Sequence, residues 1–442
     1  MNLLSTFLFV QKFNVNHDNM STYASILLWV VPGFMVLMTI EVIYGHLTNK
    51  QTYSFMDTLS SLSSGITNVL KDSLGLVLVI LSYPYILDAI AVFDLESSVL
   101  LYIVAFICID FASYWNHRLN HKVNIFWNRH VIHHSSEEFN LACALRQSIS
   151  VYFRIYAFLL IPAALFGVPQ QVIAVVAPLH LFAQFWYHTQ HIHKMGWLEY
   201  IIVTPAHHRV HHAINPEYLD KNYGQIFIFW DRMFGTFQEE SPSIPAVYGV
   251  TRPVRTWNPI KINFMHLWLL MQDAWHTKSW KDKLRVWLMP LGWRPADVAE
   301  KYPVYKIEDV YHFEKYDTPA PKGMMIYLWI QLFCLLLIVS YLFGNVASIG
   351  LTNMMYYGLF IFAQVYALTE FMDRNPRALI YEVVKNMICV GGILYYGGWF
   401  GLQNYFSASS YILMGYFFVS TATVAAYTSQ LTRPLNHSRT LS

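Results

Sequence analysis

Nine long apolar runs constrain this chain of 442 residues more than anything else in it. They occupy 26–40, 74–87, 100–109, 155–166 and 172–185 in the first half, and 327–343, 355–368, 387–402 and 411–427 in the second. A helix needs about 20 mostly apolar residues to cross the hydrocarbon core of a bilayer. Most of the runs approach that length once flanking Tyr, Trp, Ser and Thr are included. With 55% hydrophobic and only 13% charged residues, the composition is not that of an ordinary globular protein. The expected fold is all-α: a polytopic integral-membrane helical bundle carrying a cytoplasmic histidine-rich di-metal domain and a C-terminal hydrophobic helical block.

The charge balance adds an exclusion and an orientation. A net charge of +2 gives no footprint for nucleic acid. Basic residues gather after the third run (Arg118, Lys122, Arg129, Arg146) and again between His191 and Lys322. The positive-inside rule turns both regions to the cytoplasm. The expected location is an integral membrane protein with its site on the cytoplasmic side, in the endoplasmic reticulum if eukaryotic or the inner membrane if bacterial. Cys108, Cys143, Cys334 and Cys389 form no CxxC pair and read as buried thiols. The apolar segment 1–10 lacks a basic start and a small-residue cleavage site, so it is not read as a cleaved signal.

Three stretches follow from this pattern. Residues 1–324 are expected to form a membrane-embedded catalytic domain whose part from about 191 to 324 is extramembrane, and 325–442 a four-helix transmembrane block. Pro303, Pro319 and Pro321 mark the join. Within the stretch from about 191 to 324 lies a tryptophan-rich part containing Trp257, Trp268, Trp275, Trp280, Trp287 and Trp293. Its periodic apolar residues suggest amphipathic helices, either on the membrane surface or buried against the rest of the extramembrane domain.

Histidines cluster beside the apolar runs. His117 and His121 are four apart; His130, His133 and His134 form HxxHH; His208, His211 and His212 repeat that unit, with His207 before it and His188, His191 and His193 upstream. Side chains three and four apart share a helix face. Each burst therefore presents two or three imidazoles in one direction, as a metal site requires. So many ligands exceed the four of a structural zinc ion and suit two ions. Imidazole favours iron, zinc, copper and nickel over magnesium or calcium; iron is the expectation, and the spacing leaves zinc open. Asp110, seven residues before His117, is expected to accept a hydrogen bond from a ligand imidazole, with a salt bridge to Arg118 as the alternative. Glu137, Glu138 and Asp231 are weaker candidates for the same role. His180 reads as a hydrogen-bonded core histidine.

The phrases HRLNH, HVIHHSSEEFN, CALRQS, QFWYHTQ, TPAHHRVHH, DKNYG and FWDRMFGTF lie between residues 117 and 237, within a likeness that runs from about residue 50 to 300. They resemble the fatty acid hydroxylase/sterol desaturase superfamily, and within it most resemble the alkylglycerol monooxygenase family and its bacterial relatives. The resemblance implies a di-iron centre held by His117, His121, His130, His133, His134, His208, His211 and His212, with His188, and O2-dependent attack on a lipid C–H bond. In that branch the ether-linked carbon of an alkylglycerol is hydroxylated and a fatty aldehyde released, with tetrahydrobiopterin as reductant; elsewhere in the superfamily small redox proteins supply the electrons. Lys122 and Gln190 stand where that branch carries acids. The expected partners are a lipid substrate, the membrane and an electron donor. Tyr114, Trp115, Trp127, Phe139, Phe185 and Trp186 are candidates for lining a lipid tunnel. A fatty acyl or sterol hydroxylase or desaturase, a histidine-lined metal transporter, and a non-catalytic lipid-binding protein are the competing readings.

Overall fold

A computed structural model describes residues 17–74, 78–79, 83–93, 95, 98–150, 153–154 and 156–431; the segment 1–10 lies outside them. The long helices are α1 (His17–Leu47), α2 (Phe55–Ser73), α3 (Val99–Lys122), α4 (Gln170–Phe182), α5 (Pro205–His212), α6 (Pro259–His276), α7 (Lys322–Gly344), α8 (Leu351–Met372), α9 (Ala378–Tyr396) and α10 (Ser409–Leu431). The extended structure assigned to strands among the described residues is a two-residue parallel pairing of Leu78–Val79 with Phe153–Arg154. The remaining regular elements among the described residues are helices.

Among the described residues, four helices are long and apolar enough to cross a membrane: Val99–Lys122, Lys322–Gly344, Ala378–Tyr396 and Ser409–Ser429. This is a membrane protein. Several apolar runs nonetheless fail to become single spanning helices. The run 74–87 falls partly outside the described residues; the rest caps α2 at Leu74, forms the Leu78–Val79 strand and enters the short helix Tyr83–Ile90. The run 155–166 breaks into Tyr156–Leu159 and Ile161–Leu165, with Pro162 at the start of the second. Helix α4 has 13 residues and Pro178 inside it, which at 1.5 Å per residue gives only about 20 Å. Proline removes a backbone donor and clashes with the preceding turn, so an apolar run containing one is a poor measure of helix length.

Helix α2 shows the opposite discrepancy, being barely apolar yet central. Ser60, Ser61, Ser63 and Ser64 are fully buried. Their small size lets α2 lie close to its neighbours, and at the crossing with α8 a Cβ on Gly358 would come within 2.5 Å of the Leu74 Cδ1. One apolar core runs from Met38, Leu59 and Leu70 through Leu328, Leu335, Tyr357 and Ile361 to Phe417 and Val424. The C-terminal block of α7–α10 therefore packs continuously on α1 and α2. Helix α8 sits at its centre with Gln364, Thr369 and Glu370 buried. The join 303–321 carries no helix. It is latched to the segment after His134: the Tyr316 N–H donates to Glu137 at 2.6 Å and Lys315 pairs with Glu138 at 2.9 Å.

Candidate metal centre

Helix α3 delivers His117 and His121 from its last two turns, after which Val123 ends it in an extended conformation. A tight turn, Val131–His134, follows directly with His130 as its N-cap. Helix α5 begins at Thr204 and Pro205 and supplies His208, His211 and His212. His188 follows the end of α4, in a turn that returns its amide to the Phe185 carbonyl at 3.3 Å. Fixed φ and a missing N–H suit proline to a first helical position, so Pro205 starts α5 where its histidines face inward. Arg209 locks the helix to the loop after His188, donating to the Thr189 and Ile192 carbonyls at 3.0 and 2.8 Å and to Glu240 at 2.7 and 2.6 Å.

These elements bring nine imidazoles into two groups. His117, His121, His130, His134 and His211 form one; His133, His188, His208 and His212 form the other; within each, ligand nitrogens lie within 4.8 Å of one another. His130 is half-buried and the rest are buried. The Nε2 atoms meet at 2.9 Å (His117–His130), 3.1 Å (His130–His134), 3.1 Å (His134–His211), 2.9 Å (His188–His208) and 3.0 Å (His208–His212).

Backbone carbonyls fix the tautomers. The Nδ1–H of His133 donates to the Arg146 carbonyl at 3.2 Å, that of His188 to Gln184 at 3.1 Å and that of His211 to Lys221 at 3.0 Å; His117 Nδ1 lies 2.8 Å from the Tyr223 carbonyl, with the Gln225 side-chain amide also against it at 2.7 Å. A neutral imidazole has one N–H, so each of the first three rings turns a bare Nε2 lone pair inward. His133 and His188 face each other at 3.4 Å with no proton to share. His121 Nε2 and His208 Nδ1 are buried without a hydrogen-bond partner. Protonation is no remedy: burial pushes His133 down to about 4 and lowers His130, His134, His188, His208, His211 and His212 well below their ordinary value. Convergent lone pairs that repel without a cation, and an all-imidazole donor set, fit a pair of transition-metal ions.

The loop 220–224 carries two of the carbonyls that meet these rings. Asp220 and Asn222 adopt positive φ of 62° and 53°, which their short polar side chains tolerate. The alternation turns the Lys221 and Tyr223 carbonyls toward His211 and His117. Asp231 braces the same loop, accepting from the Tyr223 and Gly224 amides at 2.7 Å each. A Cβ on Gly224 would meet Asp231 Oδ2 at 2.8 Å and the Phe227 carbonyl at 2.9 Å, so glycine is required there.

Other expected residues fall elsewhere. Asp110 meets no ligand imidazole and no Arg118. Its carboxylate accepts from His180 Nε2 at 2.7 Å, the Ile226 and Phe227 amides at 2.9 and 3.1 Å, and Trp230 Nε1 at 2.9 Å. An intramembrane carboxylate needs several donors, and the 226–230 segment supplies them where a ligand ring would supply one. His207 lies outside both groups, its Nδ1 accepting from the Thr204 amide at 3.3 Å in a capping box. His191 stacks edge-on against Tyr44, and His193 is exposed. Of the tunnel candidates, Trp127 and Phe139 do face the imidazoles, Trp127 at 5.6 Å from His134 and Phe139 at 5.2 Å from His212. Tyr114 and Trp115 pack instead against Phe234, and Phe185 against Phe34. Lys122 pairs with Asp220 at 2.6 Å, and Gln190 donates to the Phe139 carbonyl at 2.9 Å.

Sequence reasoning passed over Arg146 and Glu41. The Arg146 guanidinium is fully buried, donating to Asp57 at 2.7 Å, Ser135 at 2.8 Å and Ser61 at 2.9 Å. It thereby clamps the carbonyl that orients His133 onto α2. Glu41 of α1 accepts from the Tyr53 hydroxyl, the Leu141 amide and the Thr189 hydroxyl beside His188.

Comparison with known proteins matches residues 102–236 to the fatty acid hydroxylase family. The human alkylglycerol monooxygenase is 34% identical over 360 residues, covering 80% of this chain and 79% of that protein. The zebrafish (Danio rerio) alkylglycerol monooxygenase is 34% identical over 363 residues with the same coverage. An ornithine lipid hydroxylase of Rhizobium tropici is 29% identical over 153 residues, 34% of this chain and 46% of its own. No solved structure matches.

Proposed function

The chain belongs to the alkylglycerol monooxygenase family, and from that premise we propose that it hydroxylates an ether lipid at the ether-linked carbon, using O2 and two iron ions held by the two histidine groups. In this reading His117, His121, His130, His134 and His211 hold one ion and His133, His188, His208 and His212 the other. The observation that carries it is the set of buried, carbonyl-oriented Nε2 lone pairs converging on two points. Zinc would satisfy the same donors without redox chemistry, so iron rests on the family and the reaction.

When bound, the metal pair supplies the O2 activation and the oxidising power to attack an unactivated C–H bond. The balance is one C–H bond converted to C–OH, with the second oxygen atom leaving as water after uptake of two electrons and two protons. The hydroxylated carbon is then a hemiacetal, which breaks to a fatty aldehyde and glycerol. The electrons come from tetrahydrobiopterin or from a small redox protein. The chain's own part is orientation and exclusion of water. Three main-chain carbonyls keep ligand tautomers fixed, Arg209 and Arg146 hold the ligand-bearing segments on their neighbours, and Trp127, Phe139 and Tyr187 cover the imidazole faces, Tyr187 at 4.2 Å from His208. The distribution of Lys and Arg supports a cytoplasm-facing centre, in the endoplasmic reticulum of a eukaryote or the inner membrane of a bacterium. Residues 1–324 act as the catalytic unit and 325–442 as its membrane buttress.

The departures at Lys122 and Gln190, together with the ornithine lipid hydroxylase relative, favour keeping a second substrate class in the test. Iron-loaded protein in lipid nanodiscs is incubated aerobically with an alkylglycerol, a fatty acyl lipid or a sterol, each with tetrahydrobiopterin or a reduced redox protein. Fatty aldehyde from the alkylglycerol is expected. Hydroxylated or desaturated acyl or sterol products, with no aldehyde, would move the chain to that substrate class; no O2 consumption with any of them would reject a monooxygenase.

A further inference from the structure

The tryptophan-rich segment 257–293 is not used by the proposed chemistry, yet it sits beside it. Helix α6 buries one face, Pro259, Ile262, Asn263, Leu270 and Asp273. That face grips the segment around the HxxHH turn. The Leu267 amide donates to Asn128 Oδ1 at 3.0 Å, His266 Nε2 lies 2.8 Å from the Asn124 carbonyl, and Asn263 Oδ1 accepts from Ser148 at 3.1 Å.

The opposite face is bare. Trp268, Met271 and Trp275 of α6 are 59%, 46% and 80% exposed, and Trp280, Leu284 and Leu288 beyond it are 78%, 75% and 70% exposed. Their spacing of three and four residues gives α6 one continuous apolar stripe, which the short helix Trp280–Arg285 and the turn after it extend. Large contiguous apolar surface on a folded protein marks a contact with another body.

Two further observations identify that body. First, both ends of the segment are tied to the ends of helices in the membrane bundle. At the start, the Trp257 amide donates to Asp373 at 2.7 Å and Asn258 to Glu370 at 2.8 Å, at the last turn of α8. At the finish, the Asn124 and Ile125 amides donate to the Met289 and Trp287 carbonyls at 3.0 and 2.9 Å, and the Leu291 amide to Lys122 at the end of α3, at 3.0 Å. The segment therefore runs sideways between two helix termini, at the level where α3, a membrane-crossing helix, ends. Second, the segment carries a cationic surplus that suits anionic lipid headgroups: Lys283 caps the Ala274 and Trp275 carbonyls at 2.8 and 3.0 Å and Arg285 pairs with Asp282 at 2.6 Å, which leaves Lys278 and Lys281 beside the stripe in sequence. Tryptophan settles at this depth because its ring is apolar and its N–H polar.

We propose that residues 257–293 form an in-plane anchor seated in the headgroup–acyl boundary of an anionic bilayer, which holds the adjoining histidine centre at a fixed depth. The inference depends on the membrane bundle and not on the reaction assigned above, so it stands or falls separately from it. The mode of contact is that of an interfacial amphipathic helix, whose binding combines buried apolar area with attraction to anionic lipid.

The test uses the full-length protein in nanodiscs with a Cys334→Ser background, the other cysteines being buried. Single cysteines introduced as Trp275→Cys, Trp280→Cys and Leu284→Cys, and Ser243→Cys as an exposed comparator, are labelled with bimane. Quenching by lipids brominated near the headgroup is expected to be several-fold stronger at 275, 280 and 284 than at 243, and stronger with phosphatidylserine than with phosphatidylcholine alone. Lys278→Glu with Lys281→Glu should abolish the phosphatidylserine increment while leaving bound metal unchanged. Quenching no greater than at 243 would overturn the proposal. So would protection of these positions that tracks self-association of the protein, which would make the stripe a contact between copies.

Discussion

In the C-terminal block, Lys385 pairs with Glu382 at 2.9 Å and also reaches Gln364; Gln364 donates to Gln331 at 3.0 Å, Gln331 accepts from Tyr416 at 2.5 Å, and Asn386 donates to Glu382 at 2.9 Å. In the histidine centre, rings of one kind point the same atom at one another, and His133 and His188 have no proton between them. Both clusters are buried, and both place polar atoms at great cost in an apolar surround. The Lys385–Gln364–Gln331 cluster answers that cost internally, each of these donors meeting an acceptor. The centre does not, and its matching partner has to come from outside the chain. Polar atoms that satisfy one another act as glue between helices; polar atoms that converge unsatisfied are built for a ligand.

The sharpest way to break this contrast is to remove one ligand. His133→Ala or His211→Ala should lose bound metal, measured by elemental analysis, and all turnover, while the bundle still inserts. Glu382→Gln should keep full metal content. Retained activity in either histidine variant would dissolve the distinction between the regions.

Next in size are the buried charge pairs, one in each region. Arg146→Ala leaves Asp57 buried and unpaired, and Lys385→Met does the same to Glu382; each should cost about 3–5 kcal/mol of stability. The double variant Glu382→Met with Lys385→Met should recover most of its loss in thermal unfolding. Arg146→Ala differs in a second readout, because it frees the carbonyl that orients His133. Metal affinity should fall by about 10–100-fold, whereas the Lys385 variants bind metal normally.

Acid should act through the histidines. Burial holds His133 and His266 at about 4 in the folded chain, against an ordinary value of about 6.5 in the unfolded one. The unfolded state therefore binds more protons in that window, and stability falls as pH drops from about 6.5 toward 4. Metal-free protein followed by unfolding midpoint should show this loss, and bound metal should offset it until the ligands are protonated. A flat profile between these values would contradict neutral, buried rings.

The smallest effect belongs to Asp110. Asp110→Asn keeps the shape but loses acceptor strength toward His180, Trp230 and the 226–227 amides, at about 1–3 kcal/mol. Metal content should remain intact and activity should drop less than with any ligand variant. Loss of a metal ion would restore the ligand-orienting role the sequence suggested for it.

The histidine bursts were readable because ligand chemistry leaves a periodic trace: HxxxH and HxxHH bring rings to one helix face, and α5 does so. His180, read as a hydrogen-bonded core residue, has Asp110 as its partner. Other parts were hidden for physical reasons. The groups that set the ligand tautomers are main-chain carbonyls of Arg146, Gln184 and Lys221, and a carbonyl has no letter in the sequence. Helix α2 is central yet polar, because serines bury through smallness and not through hydrophobicity. Apolar content likewise overstated the spans at 155–166 and in α4, where proline sets the length.

One consequence of those carbonyls concerns divergence. Since the peptide chain itself does the orienting, a substitution at position 184 or 221 leaves the imidazole's proton where it was. Neighbouring side chains are then at liberty to drift and reshape what the enzyme accepts, with no retuning of the ligands. Insertions, deletions and new prolines are the changes that lineage can least tolerate in these loops, because, like loss of the Arg146 clamp or of Gly224, they would shift the backbone oxygen.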